Sequence, residues 1–165
     1  MTTIRQTTSS DWQAVKALRL QALADAPYAF AETLAEAEAT PDTVWQERIQ
    51  QNSEGKNSIC ALAIEEDHPV GMAVGLNNSQ GDGKAHLVAM WVASEQRGSG
   101  AAEALVEFIV SWARDVGAAV LQAGVMESNQ RALAFYRRVG FELMSNYHTP
   151  RQTSIGHEVV LEMKI

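Results

Sequence analysis

The chain has 165 residues, 46% of them hydrophobic, and a formal net charge of −7. That length and apolar content suit one domain spanning 1–165 with a single sizeable core, and they exclude a disordered chain. The acidic balance argues against nucleic acid as a main partner, because phosphate backbones require clustered Lys and Arg, and no apolar run approaches the roughly 20 residues of a membrane span. The opening MTTIRQTTSSDW lacks an apolar signal-peptide region. The single cysteine, Cys60, lies in the apolar run SICALAI and reads as a small core residue. Together these features lead to the expectation of a cytoplasmic location.

In chain order, Thr3 to Thr7 is a short strand candidate, followed by capping residues Ser9, Ser10 and Asp11. Trp12, Val15, Leu18, Ala22 and Leu23 then recur at helical spacing until Pro27. Tyr28 to Ala39 has helical propensity but no clean apolar stripe. Pro41-Asp42 opens a second helix carrying Val44, Trp45 and Ile49. Ser58–Glu65 and Val70–Leu76 read as a hairpin, and Lys84–Ala93 continues that meander as a third strand. Gly81-Asp82-Gly83-Lys84 superficially suggests a phosphate loop, but it lacks the first Gly and the Ser/Thr of a Walker motif and reads as a turn.

Ala101–Val116 is a strong amphipathic helix, with Ala102, Leu105, Ile109, Trp112 and Val116 on one face and Gly117 ending it. Ala118–Val125 is a buried strand. Ser128 or Asn129 caps another helix, with Ala132, Phe135, Tyr136 and Val139 on one face and Gly140 as its stop. Phe141–Tyr147 and His157–Lys164 are the last strands. The order β-α-α-β-β-β-α-β-α-β-β implies an α/β domain: an antiparallel meander leading into a βαβ crossover, hence a mixed, mostly antiparallel sheet flanked by helices.

The most informative stretch is VAMWVASEQRGSGAA, residues 88–102. A strand enters a loop carrying Arg97-Gly98-Ser99-Gly100 and continues into the helix at Ala101-Ala102. Glycines at a helix mouth leave backbone N–H groups unobstructed, which is the chemistry of a diphosphate site. A dinucleotide fingerprint is disfavoured, because Glu103 stands at its third glycine and the loop follows a meander. The Gly-Lys-Ser/Thr of a P-loop is also absent.

Arg97-x-x-Gly100-x-Ala102 resembles the pyrophosphate loop of the Gcn5-related N-acetyltransferase family. Asn129, followed by the run AFYRRVGFE over 134–142, resembles that family's second signature at the family's spacing. The resemblance covers nearly the whole chain, since the element order matches too. It implies an acyl-CoA N-acyltransferase fold and acetyl-CoA as co-substrate, with no metal. The implied activity is transfer of acetyl to a primary amine of a small molecule or peptide, by direct attack in a ternary complex. A non-catalytic acyl-CoA-binding module on the same fold is the alternative. Pairing into a homodimer through the later strands is a further expectation.

The resemblance also implies roles for single residues. Arg97, Gly98, Ser99, Gly100, Ala101 and Ala102 would grip the diphosphate. The backbone of Met90, Trp91 and Val92 would pair with the pantetheine amides, with Val92 or its neighbour offering an N–H to the oxyanion. Asn129 would contact the pantetheine arm or serve as a helix cap. Tyr136 would protonate the departing thiolate, although its periodicity alone reads as a core tyrosine. His86 stands where many members carry a glutamate base, and alternation puts it on one strand face with Val88 and Met90. It also reads as a half-exposed strand histidine, and Glu127 is a rival base. Tyr28, Phe30, Glu32, Glu36, Trp45 and the loop Thr149–Gly156 are candidates for the acceptor side.

Overall fold

In a computed structural model, the structure is described for residues 1–77, 82–144, 151–153 and 156–165. Strand β1 (Thr3–Gln6) leads through a 3-10 turn into α1 (Trp12–Asp25). A second turn (Pro27–Ala29), α2 (Leu34–Ala39) and α3 (Asp42–Glu54) follow. The meander is β2 (Ser58–Glu65), β3 (His68–Asn77) and β4 (Lys84–Val92). Then come α4 (Ala101–Asp115), β5 (Val120–Met126), α5 (Gln130–Arg138), β6 (Glu142–Leu143), β7 (Arg151–Thr153) and β8 (Gly156–Lys164). The strands form one sheet in the order β1-β2-β3-β4-β5-β8-β6, with β7 also paired to β8. Among the described residues β4 and β5 are the one parallel pair, because α4 carries the chain across the sheet between them.

The expected α/β class and mixed, mostly antiparallel sheet are observed. Three local differences have physical causes. Six-residue α2 forms where no apolar stripe was visible, because a reciprocal capping box replaces the stripe. Thr33 Oγ1 accepts from the Glu36 N–H at 3.2 Å, and the Glu36 carboxylate accepts from the Thr33 N–H at 2.8 Å. Strand β6 covers only Glu142–Leu143 of the expected Phe141–Tyr147, of which 145–147 lie outside the described residues. Part of the expected polar loop, Arg151–Thr153, is strand β7.

Both faces of the meander are covered, so its strands read as continuous apolar runs rather than alternating ones. Ile59, Ala61 and Ala63 of β2 join a core with Leu105, Ile109 and Trp112 of α4. Cys60 and Leu62 point the other way, to Val15 and Leu18 of α1 and Ile49 of α3. Each fully buried Leu or Ile in these layers contributes about 2 kcal/mol of apolar burial. Cys60 is fully buried, and that desolvation pushes its thiol up to about 12. Among the described residues, no helix is long and apolar enough to cross a membrane.

Candidate active site

Pairing between β4 and β5 ends at Leu87↔Ala123, and beyond that point the strands part. The divergence coincides with a bulge in β4. Val74 pairs with Val88 and Met72 with Trp91, so Ala89 and Met90 together oppose the single Ala73. Ala89 takes a φ of 52°, a left-handed conformation rare outside glycine. A bulge shifts alternation by one residue. His86, Val88 and Trp91 therefore share a face, and Met90 turns to pack against the core beneath α4. The expectation that His86 and Met90 lie on one face is thus corrected. The Ala93 N–H donates to Val70 C=O at 2.8 Å, so alternation of the antiparallel ladder directs the Val92 N–H away from β3, toward the opening.

The glycine loop stands at the same end of β4. Gly98 and Gly100 adopt φ values of 81° and 93°, where a side chain would be strained, and a Cβ on either would project into open space. The Ser99 side chain folds back on its own loop: its Oγ donates to Gln96 C=O at 2.6 Å and accepts from the Ala101 N–H at 3.3 Å. Among the described residues, the N–H groups of Gly98, Gly100, Ala102 and Glu103 have no acceptor. That leaves a fan of donors at the N-terminus of α4, reinforced by its dipole. Arg97 bonds the Asp25 carboxylate through Nη2 at 2.6 Å, and the Trp91 indole donates to the same oxygen at 3.1 Å. These two donors, the indole foremost, hold the Asp25 carboxyl below its ordinary range.

Two cavities occupy the opening. One, of about 400 Å³, is lined by Met90, Trp91, Val92, Arg97, Gly98 and Ala102, with α5 as its far wall. The other, of about 530 Å³, lies over the diverging strands and is lined by His86, Val88, Gln122, Gly124, Glu158 and Val160. They share Ala29, Phe30, Met90, Asn129, Ala132 and Tyr136. The Tyr136 ring is held edge-on by Phe135 at 5.4 Å and Phe141 at 5.3 Å. Its hydroxyl has no hydrogen-bond partner among the described residues. Burial pushes the phenol well above its ordinary value. The result is a protonated donor standing where the two cavities meet.

Seven of the ten residues expected to hold the co-substrate line the first cavity. Ser99, Gly100 and Ala101 instead frame the loop behind it. Asn129 caps α5, its Oδ1 accepting from the Ala132 N–H at 3.2 Å, as one of its two readings expects, and it also lines both cavities. Glu127 is exposed and lines neither cavity, its carboxylate 3.8 Å from His157 Nδ1. On the acceptor side, Phe30 lines both cavities, Tyr28 the first and Glu32 the second. Glu36 is committed to its capping box and Trp45 is buried against Leu23 and Ala37. Of the loop Thr149–Gly156, residues 149, 150, 154 and 155 lie outside the described residues. Sequence reasoning missed Asp25, Gly124 and Glu158, which no local motif marks.

The site thus combines a sheet opened by a bulged strand, a glycine loop at the following helix and two adjoining cavities. The model of the Acetyltransferase (GNAT) family matches residues 20–141, and the chain belongs to that family. It is 34% identical over 67 residues to the Bacillus subtilis (strain 168) protein described as uncharacterized N-acetyltransferase YobR. That match covers 41% of this chain and 27% of the relative, so the aligned stretch spans about a quarter of the relative's length. Among solved structures, the PaiA N-acetyltransferase of Thermoplasma acidophilum in complex with coenzyme A superposes with a TM-score of 0.80 at 14% identity, over 100% of this chain and 99% of that one. YncA of Salmonella typhimurium, with its cofactor acetyl-CoA, gives 0.79 at 16% identity, over 99% and 94%. The ribosomal-protein-alanine N-acetyltransferase of Brucella melitensis gives 0.74 at 24% identity, over 99% of each chain.

Proposed function

We propose that the protein is an acetyl-CoA-dependent N-acetyltransferase that modifies a primary amine of a small molecule or peptide by direct attack in a ternary complex. The observation that carries this reading is the meeting of two cavities at Tyr136, one beside the glycine loop and one over the parted strands. Acetyl-CoA would supply the thioester-bound acetyl group. The residues of the first cavity fit it: free N–H groups at Gly98, Gly100, Ala102 and Glu103 suit a diphosphate, with Arg97 adding charge.

The chain's own groups supply the rest. Of the backbone groups along Met90–Val92, those turned away from β3, the Val92 N–H among them, face an opening that no described strand fills, and they suit pairing with an extended amide-bearing arm. The Val92 N–H suits a developing negative oxygen at the acyl carbon. Tyr136 retains its proton and donates it to the departing thiolate. His86 lines the acceptor cavity with no hydrogen-bond partner among the described residues, and we assign it as the base that takes the amine proton. Asn129 Oδ1 is spent on its cap, which leaves its amide N–H groups for the shared wall.

The test is thiol release from acetyl-CoA over an amine panel. Turnover is expected with at least one amine, reduced about 100-fold or more by His86→Gln and by Tyr136→Phe. Binding of acetyl-CoA without turnover on any amine would instead establish the non-catalytic module.

A further inference from the structure

The second cavity carries information about its ligand that the glycine loop does not. Five charged or titratable side chains line it: Arg19, Glu32, His86, Tyr136 and Glu158. Glu32 is consumed by Arg19, whose Nε and Nη2 both donate to Glu32 Oε2, at 3.0 and 2.9 Å. The Arg19 guanidinium also stacks on Phe30, 4.7 Å from the ring centre, so this pair is fixed in the wall. Glu158, on β8, has no ion-pair or hydrogen-bond partner among the described residues. Its carboxylate lies across β5 over Gly124, where a Cβ at position 124 would meet Glu158 Oε1 at 2.6 Å and Cδ at 2.7 Å. The φ of Gly124 is not in the left-handed region, so the backbone does not require glycine there. The missing side chain makes room for the carboxylate. The remaining walls combine apolar side chains, Phe30, Leu76, Val88, Met90 and Val160, with the neutral amides of Gln122 and Asn129.

We propose that the acceptor is a small monoamine whose single ammonium is drawn to Glu158 over Gly124 and whose alkyl or aralkyl body lies against Phe30, Leu76, Val88 and Val160. This deepens the transferase reading above and rests on it for the word acceptor. Among the described side chains that line the cavity, Glu158 is the one carboxylate with no cation beside it, so one ammonium is matched. The further charges of a polyamine or aminoglycoside would meet apolar or neutral walls and the Arg19 guanidinium, with no second free carboxylate among the described lining residues, and desolvated charges without ionic partners are unfavourable. Glu158 is thus a specificity-determining residue for binding, distinct from the groups that move protons.

The experiment measures binding, independently of turnover. 2-Phenylethylamine, its neutral counterpart 2-phenylethanol, and spermidine are titrated calorimetrically into the CoA-loaded protein. The variants Glu158→Gln and Gly124→Ala are titrated alongside, with melting temperature and CoA affinity as controls. The expected order is phenylethylamine tighter than both spermidine and phenylethanol. Glu158→Gln is expected to weaken phenylethylamine about tenfold, with CoA affinity unchanged, because it removes a partly desolvated charge partner while keeping shape. Gly124→Ala, which displaces the carboxylate, should act in the same direction, and should Gly124→Ala fail to fold, the isosteric Glu158→Gln decides alone. Spermidine binding more tightly than phenylethylamine, no binding of phenylethylamine, or an unchanged affinity in Glu158→Gln would each overturn the proposal. Selective binding without acetyl transfer would leave this inference standing and remove the transferase reading. Acetyl transfer with an indifferent Glu158→Gln would do the reverse.

Discussion

Arg97 and Asp25, 72 residues apart in the chain, meet at 2.6 Å and fasten the glycine loop to the end of α1. The contact uses one guanidinium nitrogen, Nη2, which leaves Nη1 and Nε available to a second anion. Trp91, in the bulged strand, donates to the same carboxylate oxygen. One acidic side chain thereby sets the position of both the loop's cation and the strand whose backbone faces the opening.

If Asp25 preorganises Arg97 rather than competing for it, both substitutions weaken coenzyme A. We expect about tenfold weaker binding for Arg97→Gln and roughly threefold for Asp25→Asn, measured calorimetrically. Tighter binding by Asp25→Asn would show that the carboxylate competes with the diphosphate.

Gly98 and Gly100 each hold a positive φ at the loop's tip. Alanine at either position pays about 1 kcal/mol of backbone strain and is expected to relax the loop away from its donor-presenting shape. Coenzyme A affinity should fall by roughly that amount, about fivefold. Because the tip is exposed and a Cβ there meets nothing within 4 Å, the melting temperature should fall by only about 2–4 °C.

Tyr136→Phe keeps the edge-on contacts with Phe135 and Phe141 and removes only the hydroxyl. The variant should fold and bind acetyl-CoA like the wild type while kcat drops. Burial has moved the phenol upward, so it stays protonated through the alkaline range. Any fall in the wild-type rate below about pH 10 must then come from another group, and the same alkaline limb should persist in Tyr136→Phe.

Asp11 receives two guanidinium bonds from Arg5, at 2.8 and 2.9 Å, and accepts from the Thr8 N–H at 2.7 Å. The Arg5 hydrogen bonds are the main cause lowering its pKa from 3.8 to about 2. A depressed carboxyl stabilises the fold above its unfolded value, and that contribution disappears as pH falls through about 2. With Arg5 half exposed, screening limits it to on the order of 1 kcal/mol. Urea unfolding of wild type and Asp11→Asn should differ at pH 5 and converge toward pH 2.

The helices α1, α3, α4 and α5 and the meander strands were readable because their apolar periodicity and caps are local. The exception α2 was also marked, by Thr33-x-x-Glu36, a capping box whose meaning is independent of any stripe. The buried face of α5 shows a subtler limit. Leu133 is buried with Tyr136, whereas Ala132 and Phe135 are half-buried, since the helix rotates to suit the walls on both sides. Periodicity gives a face only to within such a rotation.

At the site, the glycine loop, Asn129 and Tyr136 were legible because each is a short motif whose chemistry resides in its own backbone or side chain. The bulge at Ala89 was not: no glycine or proline marks it, and it arises from pairing with β3, which counts two residues against one. Asp25, Gly124 and Glu158 gain meaning only through contacts between distant segments. The amino-acid sequence by itself therefore determined the element order, the family resemblance and the loop that suits a diphosphate, all of which follow from interactions within a few residues. Tertiary structure alone decided which way His86 and Met90 face, where Arg97 is anchored and which carboxylate lies over Gly124 beside the parted strands, because strand register and contacts across the sheet depend on the whole fold.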